Sequence, residues 1–457
     1  MSDNRYRKVP SRRLSRLASF GQIATGVAGG MLAEGARRLA RGEAPRLSDL
    51  LLTPANATRV ADQLSRLRGA AMKLGQMISL DAGDVLPREL TEILSRLRES
   101  AHFMPPAQLE RVLTAEWGAG WRSKFKTFEP RPIAAASIGQ VHRATLPDGR
   151  VLAIKVQYPG IANSIDADVD NVATLLRMSS LLPATLNIAP LLAEAKRQLH
   201  EEADYVREAE MMLRYAELLA DDPAFLVPRP YELLCGRNVL AMDFIDARPI
   251  ETLSVASPEV RNRVLGTMMG LVLRELFEFG FMQTDPNFAN FRWQPAKDGA
   301  DNERVVLLDF GAARAIDPAT TASYRRMMLA GLAADRDALR ESLLDIGFIA
   351  APVLARHGAA FDRMINVLLD HLGKPGLFEF ADRSFVERIR GEAETIFADR
   401  SAWHIPPAEA LFVQRKISGS ALLAVKLKGS LPLRDMVERA VSGTAPALLI
   451  GAMRDSQ

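Results

Sequence analysis

Asp285 and Asn290 stand five residues apart in QTDPNFANF, and Asp309 follows in LLDFG, where the apolar run VVLL reads as a short strand ending in an Asp and a Gly turn. No folding argument asks for two acids and an amide among these apolar residues. A carboxylate in D-x-x-x-x-N orients or deprotonates an attacking hydroxyl, the amide holds a metal ion, and an Asp before Phe-Gly holds the metal that bridges ATP phosphates. The chemistry is phosphoryl transfer, with Asp285 as base and Asn290 and Asp309 as ligands of Mg2+. A lone D-F-G is a weak signal whose plain meaning is a strand end and a turn. The two motifs in this order, joined by a hairpin over 295–303, are far more specific.

Such a site needs a cation for the phosphates and elements to carry it. From Thr127 the pattern is that of strands: TFEPRPIAAASIGQVHRATL, the turn PDGR, then VLAIKVQY. Asp148 and Gly149 between two alternating apolar runs signal a hairpin. Lys155, in the Ala-Ile-Lys of the second run, stands where a kinase keeps the lysine that grips the α and β phosphates. The turn before it is unusual: Ala134, Ala135, Ala136 and Ser137 occupy the place of a kinase's glycines, and a glycine comes only at Gly139. Alanine methyls restrict positive φ, so a stiffer ATP-binding loop and a shifted nucleotide pose are expected. The helix after Ile188 carries RQLHEEADYVREAEMM, and its Glu208 is the candidate ion-pair partner of Lys155; the 53 residues between them require an insertion.

FLVPRP and NVLAMDFID read as two further strands, with Met242, Asp243, Phe244 and Ile245 as the linker whose backbone receives adenine. Ser257 and Pro258 have the types of an N-cap and a first helical position, so a helix starts there and leads into the Asp285 loop. After Asp309 the chain passes directly into helix, with no activation segment and no Ala-Pro-Glu anchor, and the tail from Ala351 reads as helical to about Ile450. Residues 55–100 are mostly helical in pattern, and Lys73 and Gln76 of KLGQ share one helix face.

With 48% hydrophobic and 25% charged residues, a 457-residue chain builds a sizeable globular core. One cysteine, Cys235, excludes an internal disulfide and a cysteine-built zinc site. The six histidines are scattered, and His142 and His200 read as strand and helix surface residues. A net charge of +3 is too small to argue for nucleic acid, but residues 1–50 alone carry ten Lys or Arg against four acids. A basic segment around the Gly- and Ala-rich stretch Leu14–Leu39 reads as attraction to an anionic lipid surface. That stretch is too interrupted to span a bilayer, and the final apolar run APALLIGAM is too short.

KLGQ, AAASIGQ, AIK, EADYVREAE, QTDPNFAN and LLDFG, in this order over roughly residues 55–445, resemble the UbiB family of atypical kinases, in the form of its mitochondrial and proteobacterial branch supporting coenzyme Q (ubiquinone) biosynthesis. The resemblance implies an α+β, two-lobed protein-kinase-like fold with an added N-terminal helical subdomain and a helical C-terminal lobe. The expected divisions are a basic N-terminal segment (1–50), a helical extension with KLGQ (51–118), a kinase-like N-lobe with inserted helices (119–245) and a mostly helical C-lobe (246–457). It also implies that Lys73 and Gln76 lie across the place of a peptide substrate, and that Glu202 and Asp204 form the family's E-x-D motif. Met211, where Asn is expected after REAE, is the one departure. The function so implied is an ATPase using ATP and Mg2+ on quinone precursors or their biosynthetic complex, peripheral at the inner membrane, on the cytoplasmic or matrix side, with a homodimer allowed and no nucleic acid expected. A kinase acting on a hydroxyl and a nucleotide-gated lipid-binding scaffold are the alternatives.

Overall fold

The computed structural model describes residues 103–178, 188–296, 302–402, 404 and 406–443. The basic segment 1–50, Lys73 and Gln76, and the run APALLIGAM lie outside the described residues. Up to residue 244 the elements are α1 (Pro106–Trp117), β1 (Thr127–Phe128), β2 (Ala134–Ala135), β3 (Gly139–Thr145), β4 (Val151–Gln157), α2 (Ile165–Met178), α3 (Ala189–Glu202), α4 (Tyr205–Leu218), β5 (Phe225–Leu226) and β6 (Val239–Asp243). There follow β7 (Arg248–Pro249), α5 (Pro258–Arg274), β8 (Phe281–Gln283), β9 (Phe291–Gln294), β10 (Arg304–Leu307), β11 (Ala313–Ala315), α6 (Pro318–Leu332) and α7 (Arg336–Ile346). The tail holds α8 (Ala351–Leu372), β12 (Phe378–Glu379), α9 (Ser384–Ala398), α10 (Ala408–Lys426), β13 (Ser430–Leu431) and α11 (Leu433–Ser442). Two compact units contain them: residues 1–213 with 229–244, and residues 214–228 with 245–457.

In the first unit an antiparallel sheet runs β1, β3, β4, β6, with β2 also paired to β3. β4 lies between β3 and β6, and Leu152 to Gln157 are all buried, so Lys155 is held out of water on an inner strand. The β3–β4 hairpin closes at Gly149, whose φ of 90° suits a residue without Cβ. His142 departs from its expected surface place. It is fully buried in β3, its Nδ1–H donating to the Glu129 carbonyl at 2.9 Å and its Nε2 accepting from Gln140 Nε2 at 2.8 Å. Phe128 stacks on the ring at 5.3 Å. Alternation along a strand assigns a residue to a face, and what covers that face is decided by residues elsewhere.

The run RQLHEEADYVREAEMM, read as one helix, is two helices, α3 and α4. Asp204 makes the break, its Oδ1 accepting the Arg207 N–H at 3.0 Å as a cap for α4. Gln157 Nε2 meanwhile donates to the Ala203 carbonyl at 2.9 Å, at the turn between the two helices.

The second unit has a sheet in the order β5, β10, β9, β7, with β5 parallel to β10. A separate antiparallel pair sets Gln283 of β8 opposite Ala313 of β11. Helix α5 begins as its sequence dictates, with Pro258 in the first turn and Ser257 Oγ accepting the Val260 N–H. It runs on into a wider π turn over Glu275–Phe279 that Gly280 closes at φ 56°. Leu276, Met282, Ile316, Tyr324, Ile346 and Val413 share one buried cluster, so β8 is packed against α6, α7 and α10. The tail is not all helix, because β12 and β13 pair. Among the described residues no helix is long and apolar enough to cross a membrane.

Candidate active site

In the first unit Lys155 Nζ lies 2.8 and 2.9 Å from the two carboxylate oxygens of Glu208, and the two residues are 7% and 0% exposed. Two ions this deeply buried are tolerable only as partners, since each offsets the desolvation of the other. Tyr205, one turn before Glu208 on α4, sets its ring 5.2 Å from the ammonium, within cation–π reach. Ala134 and Ala135 pair with Val141 and Gln140. The Ala136 N–H donates to the Gly139 carbonyl at 2.8 Å, so it is turned into the loop rather than outward. Ser137 Oγ donates to Glu202 Oε2 at 3.0 Å, tying the loop to the end of α3. Gly139 is demanded by packing: a Cβ there would lie 2.5 Å from the Val156 carbonyl oxygen and 2.7 Å from the Tyr205 hydroxyl. Of the E-x-D pair, Glu202 thus meets the alanine-rich loop and Asp204 caps a helix. Met242 and Asp243 end β6 opposite Ala153 and Leu152. The N–H groups of Asp243 and Phe244 donate to the carbonyls of Arg229 and Val151, both at 3.0 Å, and Ile245 begins the longer segment of the second unit.

In the second unit two loops are stitched together by backbone. Thr284 donates to the Ala312 carbonyl from its N–H at 3.3 Å and its Oγ1 at 2.9 Å. Leu308 N–H donates to the Asn290 carbonyl at 3.0 Å. Asp285, Asn290 and Asp309 are therefore carried on two loops that share backbone bonds. Asp285 Oδ1 accepts the Asn287 N–H at 3.3 Å, and Asp309 Oδ1 accepts the Gly311 N–H at 3.1 Å. Asn290 Nδ2 donates to the Asp285 carbonyl at 3.4 Å, which leaves its Oδ1 as the atom for a ligand. An amide oxygen with carboxylate oxygens suits a hard cation such as Mg2+, which completes its shell with phosphate and water. Among the described residues no group of three or more His, Cys, Asp or Glu stands ready for a metal.

Residues 96–343 match the ABC1 atypical kinase-like domain. The chain belongs to that family. It is 37% identical to the mitochondrial atypical kinase COQ8B of Danio rerio over 94% of this chain and 68% of that protein. It is also 37% identical to the mitochondrial atypical kinase COQ8 of Saccharomyces cerevisiae over 93% of this chain and 83% of that one. Among solved structures it is similar to the Rv3197–erythromycin complex from Mycobacterium tuberculosis, with a TM-score of 0.59 and 25% identity, covering 84% of this chain and 95% of that chain. The fold is α+β and kinase-like, and membership of the family makes the protein an enzyme of the kinase or ATPase type that binds ATP.

Tyr205 and Gly139, each inside a quoted motif but given no role by it, pack against one another beside the alanine-rich loop. Other residues that shape the site carry no motif. On α10, Gly419 meets the loop that carries Asp285 so closely that a Cβ would lie 2.2 Å from Pro286 Cβ, and Lys426 stands 5.5 Å from the Phe288 ring. Those α10 residues lie more than a hundred positions after the motif they support. Their one signal in the sequence is a glycine inside a helical pattern, which marks a close approach without saying to what.

Proposed function

We propose that the protein is an Mg2+-dependent ATPase of the ABC1 family that supports coenzyme Q biosynthesis at a membrane surface. The observation that carries the reading is the Lys155–Glu208 pair, 2.8 Å long across 53 residues, on a chain that also stitches Asp285 and Asn290 to the Asp309 loop. Lys155 neutralises phosphate oxygens, and Glu208 fixes its ammonium in one place. Asn290 and Asp309 would hold Mg2+, which would supply neutralisation of phosphate charge. Asp285 orients or deprotonates the attacking oxygen. With the Asp243 and Phe244 N–H groups committed, adenine is read through the linker's carbonyls and Ile245.

Hydrolysis is favoured over transfer to a protein because the Ala136 N–H is closed on its own turn and the chain holds no activation segment. The names of the relatives support the coenzyme Q role and a mitochondrial-type setting. The basic segment 1–50 supplies attraction to anionic lipid, and the acceptor side is a quinone precursor or its biosynthetic complex. Cytoplasmic or matrix-side attachment to the inner membrane, and self-association into a homodimer, belong to the same proposal. Phosphate release from γ-labelled ATP, measured with Mg2+, anionic liposomes and a quinone-like phenol, tests it. Release should rise with liposomes and phenol and should vanish in Asp309→Asn. Label appearing in protein or phenol, or a fully active Asp309→Asn, overturns it.

A further inference from the structure

Glu275 opens the π turn after α5 and is 0% exposed. Wider turns of this kind are frequent at functional sites. Its Oε1 accepts the Tyr215 hydroxyl at 2.8 Å and the Gln283 N–H at 3.3 Å, while its Oε2 stands 3.2 Å from Lys416 Nζ. Lys416, on α10 and equally buried, also donates to Gln283 Oε1 at 3.3 Å and lies 5.1 Å from the Phe291 ring. Gln283 is thus held through its backbone by the acid and through its side chain by the base. Phe291, at the other end of the 284–290 loop, rests against the same ammonium. Burial drives the Glu275 carboxyl above its ordinary range, and Lys416 is the chief opposing influence. A buried ion pair is poor value as a stabiliser, since apolar side chains of similar size often serve as well or better. Fixing one geometry is the role such pairs perform well.

We infer that Glu275 and Lys416 are positioning residues that clamp both ends of the catalytic loop and so set where the Asp285 carboxylate points. The inference rests on the reading of Asp285 as the residue that orients the attacking oxygen. The clamp acts on the segment and touches neither nucleotide nor metal. Its removal lowers the rate of the chemical step and leaves nucleotide affinity alone.

Lys416→Met, Glu275→Gln and the double variant, all in the full chain, separate positioning from bulk stability. Glu275→Gln keeps the size and the acceptor atom, so a folded variant is available if Lys416→Met fails to fold. In either single variant, amide exchange over residues 281–290 should quicken at least tenfold while the β9–β10 hairpin keeps its protection. ATP turnover should fall tenfold or more in kcat with KM for ATP within twofold. The double variant removes the lone buried charge, so its thermal midpoint should recover while kcat and loop protection stay low. Unchanged protection over 281–290 in both single variants overturns the clamp, as does a double variant that regains kcat together with its thermal midpoint. Asp285→Asn is run alongside. If it turns over ATP as fast as the natural chain while the clamp variants lose protection, the reading of Asp285 fails and the clamp stands.

Discussion

Lys155→Met would leave the Glu208 carboxylate buried without its ammonium, a change that costs about 3–5 kcal/mol when one partner of a buried pair is removed. The double variant Lys155→Met with Glu208→Gln should regain much of that stability in urea unfolding. It should not regain nucleotide affinity, because the phosphates still lack their cation. Affinity restored along with stability would mean that Lys155 serves the fold alone. His142 makes a second residue-scale test. Burial pushes its imidazole down from 6.5 to about 4, so the folded state keeps it neutral where the unfolded chain already takes up a proton. Between those two values the unfolded state binds more protons, and stability is lost as pH falls through the window, by up to about 3 kcal/mol. His142→Gln should flatten this part of the urea-unfolding stability profile, and an unchanged slope from pH 6.5 to 4 would assign the acid sensitivity elsewhere.

A glycine inside helix α10 invites replacement by alanine, which in an open helix gains about 1 kcal/mol. At Gly419 the contact decides otherwise, for a Cβ 2.2 Å from Pro286 must displace the loop or the helix. Gly419→Ala should destabilise by about 1–3 kcal/mol, the scale of overpacking, and should slow ATP turnover more than it weakens ATP binding. Equal or higher turnover would show that the loop tolerates the shift. In the alanine-rich loop, Ala135 is fixed in the ladder opposite Gln140, whereas Ala136 lies in the turn. Ala136→Gly is therefore the variant expected to free an N–H toward the phosphates. It should cost about 0.4–1 kcal/mol and bring altered nucleotide preference with measurable self-phosphorylation. Identical preference and no incorporated label would make the alanines a tolerated substitution. The same contrast explains what the sequence discloses. Lys155, Asp285, Asn290 and Asp309 are legible because their types and spacing in short motifs state a chemistry, and the β3–β4 hairpin because Asp148 and Gly149 punctuate it. Lys416 is not, since it meets Gln283 from 133 residues away in an ordinary amphipathic helix. The break between α3 and α4 escapes notice for a related reason, as Asp204 stands within a continuous helical pattern and shows itself as a cap only where its side chain accepts the Arg207 N–H.

The whole chain carries a net +3, while its first fifty residues hold ten basic side chains against four acids. Each Lys or Arg near an anionic leaflet contributes about 1 kcal/mol, screened over about 10 Å at moderate salt. Deleting residues 1–50 should therefore cut sedimentation with anionic liposomes and remove most of its salt dependence. Equal sedimentation by the shortened protein would move the lipid contact to the remainder of the chain. The two compact units differ from beads on a string in one respect. The second takes residues 214–228 from ahead of the stretch 229–244 that completes the first, and within that early piece β5 pairs in parallel with β10. On the ribosome the order of emergence then matters. Leu226 leaves the tunnel 78 residues before Arg304, a wait of roughly 4–16 s at about 5–20 residues per second. During that interval β5 is an apolar strand without its neighbour, and the nascent chain must keep Phe225 and Leu226 from pairing with anything else.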